Sequence, residues 1–200
     1  MKVVLASCNE HKHVEFKRAL EGSEIELVNI VEKLEVDENG NSFFSNALIK
    51  ARAWSHKTGL PALADDSGII VRALDWAPGI RSARIIEGTD KDRNEWLLAQ
   101  LKDKEDRHAE YVAALVLYIS ENGLAIGAEG SCPGTIADHQ RGSSGFGYDP
   151  LFIPIGYTKT FGELSTEEKL KISHRSIALK KLLYVVFHTF MIKCKIGFEN

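Results

Sequence analysis

Two adjacent carboxylates, Asp65 and Asp66, stand in the stretch Ala62-Leu63-Ala64-Asp65-Asp66-Ser67-Gly68, and a second apolar run, Ile69-Ile70-Val71, follows. The pattern predicts a short buried strand that delivers two acids to its end, with Gly68 letting the chain re-enter a second strand. Neighbouring carboxylates are costly to bury without a compensating cation. A divalent metal is the simplest such cation, and paired Asp oxygens suit Mg²⁺. Asp-Asp-Ser-Gly is equally good turn chemistry, so a solvated surface turn is the competing reading.

Other residues carry complementary chemistry. Glu38 is a further acid; Lys12, Lys169, His174 and Arg175 are candidate cations. The loop Gly145-Phe146-Gly147-Tyr148-Asp149 offers flexible backbone, two aromatics and an acid. Each has a plain structural alternative: Glu38 as a solvated loop residue, Lys169 as a helix-surface charge, and His174 and Arg175 as a helix start. Phe146 and Tyr148 serve either as core or loop anchors or as a base-stacking platform. Acids for a metal, cations for phosphate and aromatics beside glycine in one chain suggest a nucleotide, although spacing alone does not show that these groups meet.

The elements that must position these groups alternate between strand and helix. Lys2 to Ala6 reads as a buried first strand, followed by a polar loop and a helix from His13 to Leu20. A strand, a polar turn and a helix N-terminus bearing Lys12 form an anion cradle in outline, without the glycines of a Walker loop. Ile25 to Val28 is a second short strand, and Glu32 to Asn41 an acidic loop containing Glu38. Ser42 caps a helix running from Phe43 to about Thr58, which Gly59 and Pro61 end. Asn46 lies inside that helix and is expected to face solvent.

Further on, Thr89 caps a helix from Asp90 to Leu101. His108 to Ser120 is apolar on both faces, hence a central strand. Glu121-Asn122-Gly123 turns it into a strand from Leu124 to Ile136, with a bend expected near Cys132-Pro133-Gly134. Leu151-Phe152-Ile153 resumes a strand, Ser165 to Glu168 is a capping box, and a last helix begins near Ser173.

Composition sets limits. The chain has 200 residues, 44% hydrophobic and 26% charged, which is enough for one large domain or two closely packed lobes. A net charge of −3 excludes a global basic field for nucleic acid, so a polyanionic ligand must be held by a local cation cluster. Cys8, Cys132 and Cys194 show neither disulfide nor zinc spacing, which points to a reducing compartment. Leu5-Ala6-Ser7-Cys8 looks like a lipoprotein cleavage box, but the apolar core before it is too short for a signal segment. The apolar run from Leu182 to Ile192 is too short to span a bilayer, so no membrane partner is expected.

Several blocks then agree, in order, with one family. They are Ser7-x-Asn9-x-x-Lys12-x-x-Glu15, Ser42-Phe43-x-x-Asn46-Ala47-x-x-Lys50-Ala51, Ala64-Asp65-Asp66-Ser67-Gly68, Pro78-Gly79-x-x-Ser82-Ala83-Arg84, Gly145-Phe146-Gly147-Tyr148-Asp149-Pro150-x-Phe152 and Ser173-His174-Arg175-x-x-Ala178. Over residues 2 to 183 the chain strongly resembles the inosine triphosphate pyrophosphatases, also called non-canonical purine NTP pyrophosphatases.

That resemblance implies an elongated α/β fold, with a mixed sheet flanked by helices and a nucleotide cleft between two lobes. It implies a cytoplasmic homodimer that uses Mg²⁺ to convert ITP, dITP or XTP to the monophosphate and pyrophosphate. Carried over by position, Asp66 is the catalytic acid-base and a metal ligand, and Glu38 a second metal-side acid. Ser7, Cys8, Asn9, Glu10, His11 and Lys12 hold phosphates. Ser67, Phe146, Gly147, Tyr148, Asp149, Lys169, His174 and Arg175 complete the substrate site, Arg175 and His174 offering donors to a 6-carbonyl that adenine lacks. The alternatives are a broader modified-NTP pyrophosphatase and a catalytically silent nucleotide-binding protein.

Two features depart from the family pattern. Many relatives carry glycine where this chain has Cys8, whose apolar flank favours packing beside the first strand. The segment from Tyr184 to Asn200 matches nothing in the pattern, so residues 1–183 are expected to form the functional unit and 184–200 an extension of unknown role.

Overall fold

The computed structural model describes residues 1–28 and 34–196, with side chains through residue 189. The start of the acidic stretch 32–41, the side chain of Cys194 and the last four residues of the tail lie outside the described residues.

Six strands form one mixed sheet: β1 (Lys2–Leu5), β2 (Glu26–Val28), β3 (Ala62–Val71), β4 (His108–Ile119), β5 (Leu124–Ile136) and β6 (Phe152–Pro154). Their order is β2-β1-β3-β4-β5-β6; β1 is parallel to both neighbours and all later pairings are antiparallel. Five helices accompany the sheet: α1 (Glu10–Ala19), α2 (Phe43–Thr58), α3 (Asp90–Gln100), α4 (Thr166–Ile172) and α5 (His174–Ile196). This is the expected α/β architecture.

Period-2 alternation decides which helix each strand residue meets. On β4, Ala113, Leu115 and Leu117 join the core under α1 and α5, whereas Ala114, Val116 and Tyr118 join the core under α2. A third core gathers Ile69, Val71, Leu97, Tyr111, Phe152 and Phe161 at the other end of the long strands, beside α3. The chemistry lies where these three cores meet.

The acidic pair is where the structure departs most from the sequence expectation. Asp65 and Asp66 end no strand and sit on no turn; β3 runs through them for 10 residues, each paired with β4. Gly68 is needed for close approach, since a Cβ there would lie 2.3 Å from Ser82 Oγ and 2.5 Å from the Gly79 carbonyl oxygen. Three smaller differences follow from local bonding. Helix α1 begins at Glu10, three residues before the expected His13, because the Asn9 side chain caps it by accepting from the His11 and Lys12 amides. Strand β5 stays continuous through Pro133 because β4 pairs with it on both sides of that point and β6 joins it from Gly134 onward. Helix α5 runs through residue 184 without interruption, with Tyr184, Val185 and Phe187 exposed on it.

Candidate functional site

Because Asp65 and Asp66 are consecutive on a strand, they project from opposite faces of the sheet. Each has its own set of protein cations, so the compensating charge that the buried pair was expected to need is supplied by lysine and arginine side chains.

Asp66 faces α2. A capping box between Ser42 and Ser45 fixes the start of that helix, which places Asn46 and Lys50, one turn apart, over the carboxylate. Lys50 Nζ lies 3.0 Å from Asp66 Oδ1, and Asn46 Nδ2 donates to Asp66 Oδ2 at 3.2 Å. Asn46 is therefore fully buried rather than solvent-facing. Its Oδ1 also accepts from the Gly40 amide at 2.8 Å, which ties down the loop carrying Glu38. Glu38 Oε1 meets the same Lys50 Nζ at 3.1 Å, and its Oε2 meets Arg84 at 3.2 Å.

Lys50 is thus one positive point shared by two carboxylates. Burial lifts the Asp66 carboxyl above its ordinary range; Lys50 opposes this without cancelling it, and the Glu38 charge adds to the rise. Burial pushes Glu38 the same way, but Lys50 and Arg84 outweigh it and hold Glu38 low. The pair is therefore split into an acid poised to take a proton and one that stays ionised. Among the described residues no group of three or more His, Cys, Asp or Glu side chains is placed to hold a metal ion.

Asp65 faces α1 and α5. Lys12 Nζ lies 2.5 Å from Asp65 Oδ2, Arg175 Nε donates to it at 3.3 Å, and Ser67 Oγ donates at 3.1 Å. The pairing continues as a chain of alternating charge. Arg175 meets Glu15 at 3.1 Å, Glu15 meets Lys169 at 2.7 Å, and Lys169 meets Asp149 at 2.6 Å. Burial raises the Asp65 carboxyl, but Lys12 and then Arg175 reverse that and depress it well below the usual range. Asp149 stays raised, because its burial outweighs the nearby Lys169. Charges this deep persist only because each has an opposite partner.

A cavity of about 430 Å³ opens between these groups. Ser7, Cys8, Asn9, His11 and Lys12 line one wall, Glu38 and Lys50 another, and Phe146 to Asp149 with Arg175 a third. The two aromatics divide their roles. Tyr148 is an anchor, 3% exposed, its hydroxyl donating to the Ser82 carbonyl at 2.9 Å. Phe146 faces the cavity with its ring stacked on His11, centroids 5.3 Å apart and planes 18° from parallel, and with Arg175 and Lys169 5.0 and 5.2 Å from its centroid.

Most of the expected residues therefore meet around one space, with some set back from it. Glu10 is exposed on the first turn of α1 and is not on the cavity wall. Asp66 and Lys169 stand just behind the lining, Asp66 reaching it through Lys50 and Lys169 through Asp149. His174 is 1% exposed and stacked on Tyr111 with centroids 4.6 Å apart. Burial holds that imidazole neutral, with its pKa well below the ordinary value, and both ring nitrogens lack a hydrogen-bond partner. Cys8 does not pack beside β1; it is exposed on the cavity wall.

Three residues of the site stand in the motif blocks but were given no site role from the sequence: Lys50, Glu15 and Asn46, the last expected to face solvent. The 46/50 spacing places both side chains on one helix face, and Glu15 lies three residues after Lys12 on α1, so helical periodicity could have found all three.

The Ham1 family model matches residues 3–185 of the chain. A dITP/XTP pyrophosphatase of Aquifex aeolicus is 46% identical, with 93% of this chain and 96% of that protein covered. Among solved structures, a HAM1 protein from Coxiella burnetii superposes with a TM-score of 0.85 at 39% identity, covering 94% of this chain and 99% of that one. A nucleoside-triphosphatase / dITP/XTP pyrophosphatase from Mycobacterium abscessus gives a TM-score of 0.72 at 47% identity, covering 92% and 99%. The chain belongs to the Ham1 family, as the motif blocks spread along its sequence anticipate.

Proposed function

We propose that the chain is a Mg²⁺-dependent nucleoside triphosphate pyrophosphohydrolase that clears deaminated purine nucleotides (ITP, dITP and XTP) from the pool, releasing the monophosphate and pyrophosphate. The observation that carries this reading is a single cavity with chemically different walls. One wall holds Glu38 and Lys50 with Asp66 just behind them, and another holds an aromatic ring flanked by cations. The names of the relatives, dITP/XTP pyrophosphatases, agree with it.

The donor set fits a hard divalent ion. Asp66 and Glu38 direct oxygens at one positive point, now filled by Lys50 Nζ. Two carboxylates are what a Mg²⁺ shared with substrate phosphates takes from a protein. When bound there, Mg²⁺ supplies positive charge against the triphosphate oxygens. Asp66, with its raised pKa, accepts the proton of the water that attacks the α-phosphorus. Lys50 and Lys12 offer further positive charge to the phosphates, while Ser7, Cys8, Asn9 and His11 shape their cradle. Phe146 stacks the base, with Ser67, Gly147, Tyr148, Asp149 and Lys169 shaping that end of the cavity.

Arg175 already donates to Asp65, Glu15 and Ser67, so it fixes the wall of the base end and has only its remaining N–H groups for a 6-carbonyl. His174 supports that wall from behind Tyr111. A homodimer, a cytoplasmic location and a functional unit over residues 1–183 belong to the same proposal, supported by the family resemblance. Among the described residues no helix is long and apolar enough to cross a membrane.

A panel of nucleoside triphosphates incubated with Mg²⁺ tests the reading. Pyrophosphate released from ITP, dITP and XTP at least about 10²-fold faster than from ATP supports it. Comparable turnover of all triphosphates supports the broader pyrophosphatase, and binding without turnover the silent protein.

A further inference from the structure

Helix α3 reaches across to the loop that carries Phe146 and holds one residue of that loop, Gly147, by both of its backbone polar groups. The Gly147 amide donates to Asp90 Oδ2 at 2.6 Å, and the Gly147 carbonyl accepts from Asn94 Nδ2 at 3.0 Å. Asp90 and Asn94 lie one helical turn apart, so a single helix face supplies acceptor and donor together. We propose that Asp90 and Asn94 are positioning residues that clamp the Gly147 backbone on both sides of its Cα and so set the angle and depth of the Phe146 ring, making α3 a determinant of base recognition. The proposal rests on the placement of the base against Phe146 argued above.

Neither residue is needed where it stands for the helix itself. Thr89 and Asp92 already form a reciprocal capping box at the α3 N-terminus. Leu97 and Leu101 anchor the other end of the helix in the core. Asn94 is 2% exposed, an expensive place for an amide unless it holds something. It also donates to Gln140 at 3.3 Å, and its Oδ1 has no hydrogen-bond partner. Asp90 divides its oxygens, one for Gly147 and the other for Arg93 at 2.6 Å.

The clamp matters because the loop's own side-chain hydrogen bond holds it on only one side of Phe146. Gly145 and Gly147 both take positive φ, 78° and 64°, where other residues are strained and the glycine backbone is free to move. On the far side of Phe146 the loop is held by its own amide donating to Asp149 Oδ2 at 2.9 Å, with Lys169 holding that carboxylate. On the near side the α3 clamp holds Gly147. Phe146 projects into the cavity between these two fixed points, and Glu38 and Lys50, with Asp66 behind them, lie on another side. Loss of the clamp should therefore weaken binding of the base while sparing the chemistry at the phosphate.

Asn94→Asp is nearly isosteric and places a carboxylate against the Gly147 carbonyl, which turns a donor into a repelling group. With ITP we expect its KM to rise roughly tenfold, the loss of one buried hydrogen bond, while kcat stays within about threefold. The inhibition constant of inorganic triphosphate, which has no base, should not move. In a Phe146→Ala background the same substitution should add less than about twofold, because it acts through the ring already removed. If Asn94→Asp does not fold, Asp90→Ala carries the same test, since the Thr89–Asp92 box remains.

Two results overturn the clamp. In one, kcat, KM and triphosphate inhibition worsen together; in the other, the full tenfold effect persists without Phe146. If Phe146→Ala raises KM but neither clamp variant does, the clamp fails while the base site stands. If Phe146→Ala leaves KM for ITP unchanged, the base placement fails and the clamp with it.

Discussion

Lys50→Met removes the one charge that Asp66 and Glu38 share while keeping the length of the side chain. The Nζ lies 3.0 Å from one carboxylate and 3.1 Å from the other, and the side chains are 11%, 11% and 23% exposed, too buried for water to replace it freely. At an effective dielectric of about 20, each contact is worth roughly 5 kcal/mol of Coulomb energy. Burying the ammonium offsets much of that sum, so the net loss on removing one member of a buried network should be on the order of 3–5 kcal/mol. That is a large part of the ~5–15 kcal/mol typical of a folded domain.

The sign of the pH dependence follows from Asp66. Its folded pKa is already raised, and without Lys50 it rises further. The folded variant therefore holds a proton that the unfolded chain has already lost, and stability falls as pH rises through that interval. The assay is urea unfolding at pH 5 and pH 8, with and without Mg²⁺. The variant should lose more at pH 8 than at pH 5, and Mg²⁺ at about 100 times its Kd should restore about 2.7 kcal/mol. A loss below about 1 kcal/mol, flat in pH and indifferent to Mg²⁺, would refute the shared-charge account.

Asp66→Asn keeps the shape but removes the proton acceptor, so kcat for ITP should drop on the order of 10²-fold or more; near wild-type turnover at saturating Mg²⁺ would displace Asp66 from the chemistry. Asp65→Asn leaves Lys12 and Arg175 facing each other without their shared anion, and should cost about 3 kcal/mol at pH 7. The Asp65 pKa is depressed in the folded state, so its contribution is present above the unfolded carboxylate pKa and lost as pH falls through the folded value. The penalty measured by urea titration should therefore shrink in strong acid, and a constant penalty would contradict the pairing. Cys8 lines the cavity, whereas burial pushes the Cys132 thiol up to about 11. A thiol reagent should inactivate the enzyme with protection by ITP, Cys8→Ser should abolish the effect, and Cys8→Gly should lower KM; inactivation that survives Cys8→Ser would assign it elsewhere.

The sequence carried the elements better than their meeting points. Capping signals at Ser42, Thr89 and Ser165 placed three helix starts where the structure has them, because an N-cap is a local hydrogen bond between near neighbours. The Asn-Gly turn placed the β4–β5 hairpin for the same reason. Asp65 and Asp66 were misplaced because a ten-residue strand buried on both faces has no local signature that separates it from two short strands around a turn. Once they lie inside one strand their separation onto opposite faces is local, but which face each one takes depends on register with β4, a long-range property. Asn46 was misjudged because propensity describes an isolated helix, and here the buried Asp66 supplies the partner that solvent would otherwise provide. The pairing of Glu15 with Lys169 and Arg175 spans more than 150 positions, so motif order suggested the cluster but could not assign its contacts.

In the proposed reaction this cavity directs water to the α-phosphorus of a deaminated purine triphosphate. Hydrolysis of ITP with Mg²⁺ in heavy-oxygen water, read by mass spectrometry of both products, tests it most directly. One heavy oxygen is expected in the nucleoside monophosphate and none in the pyrophosphate, with no orthophosphate formed. Label in pyrophosphate, or orthophosphate with a nucleoside diphosphate, would contradict it.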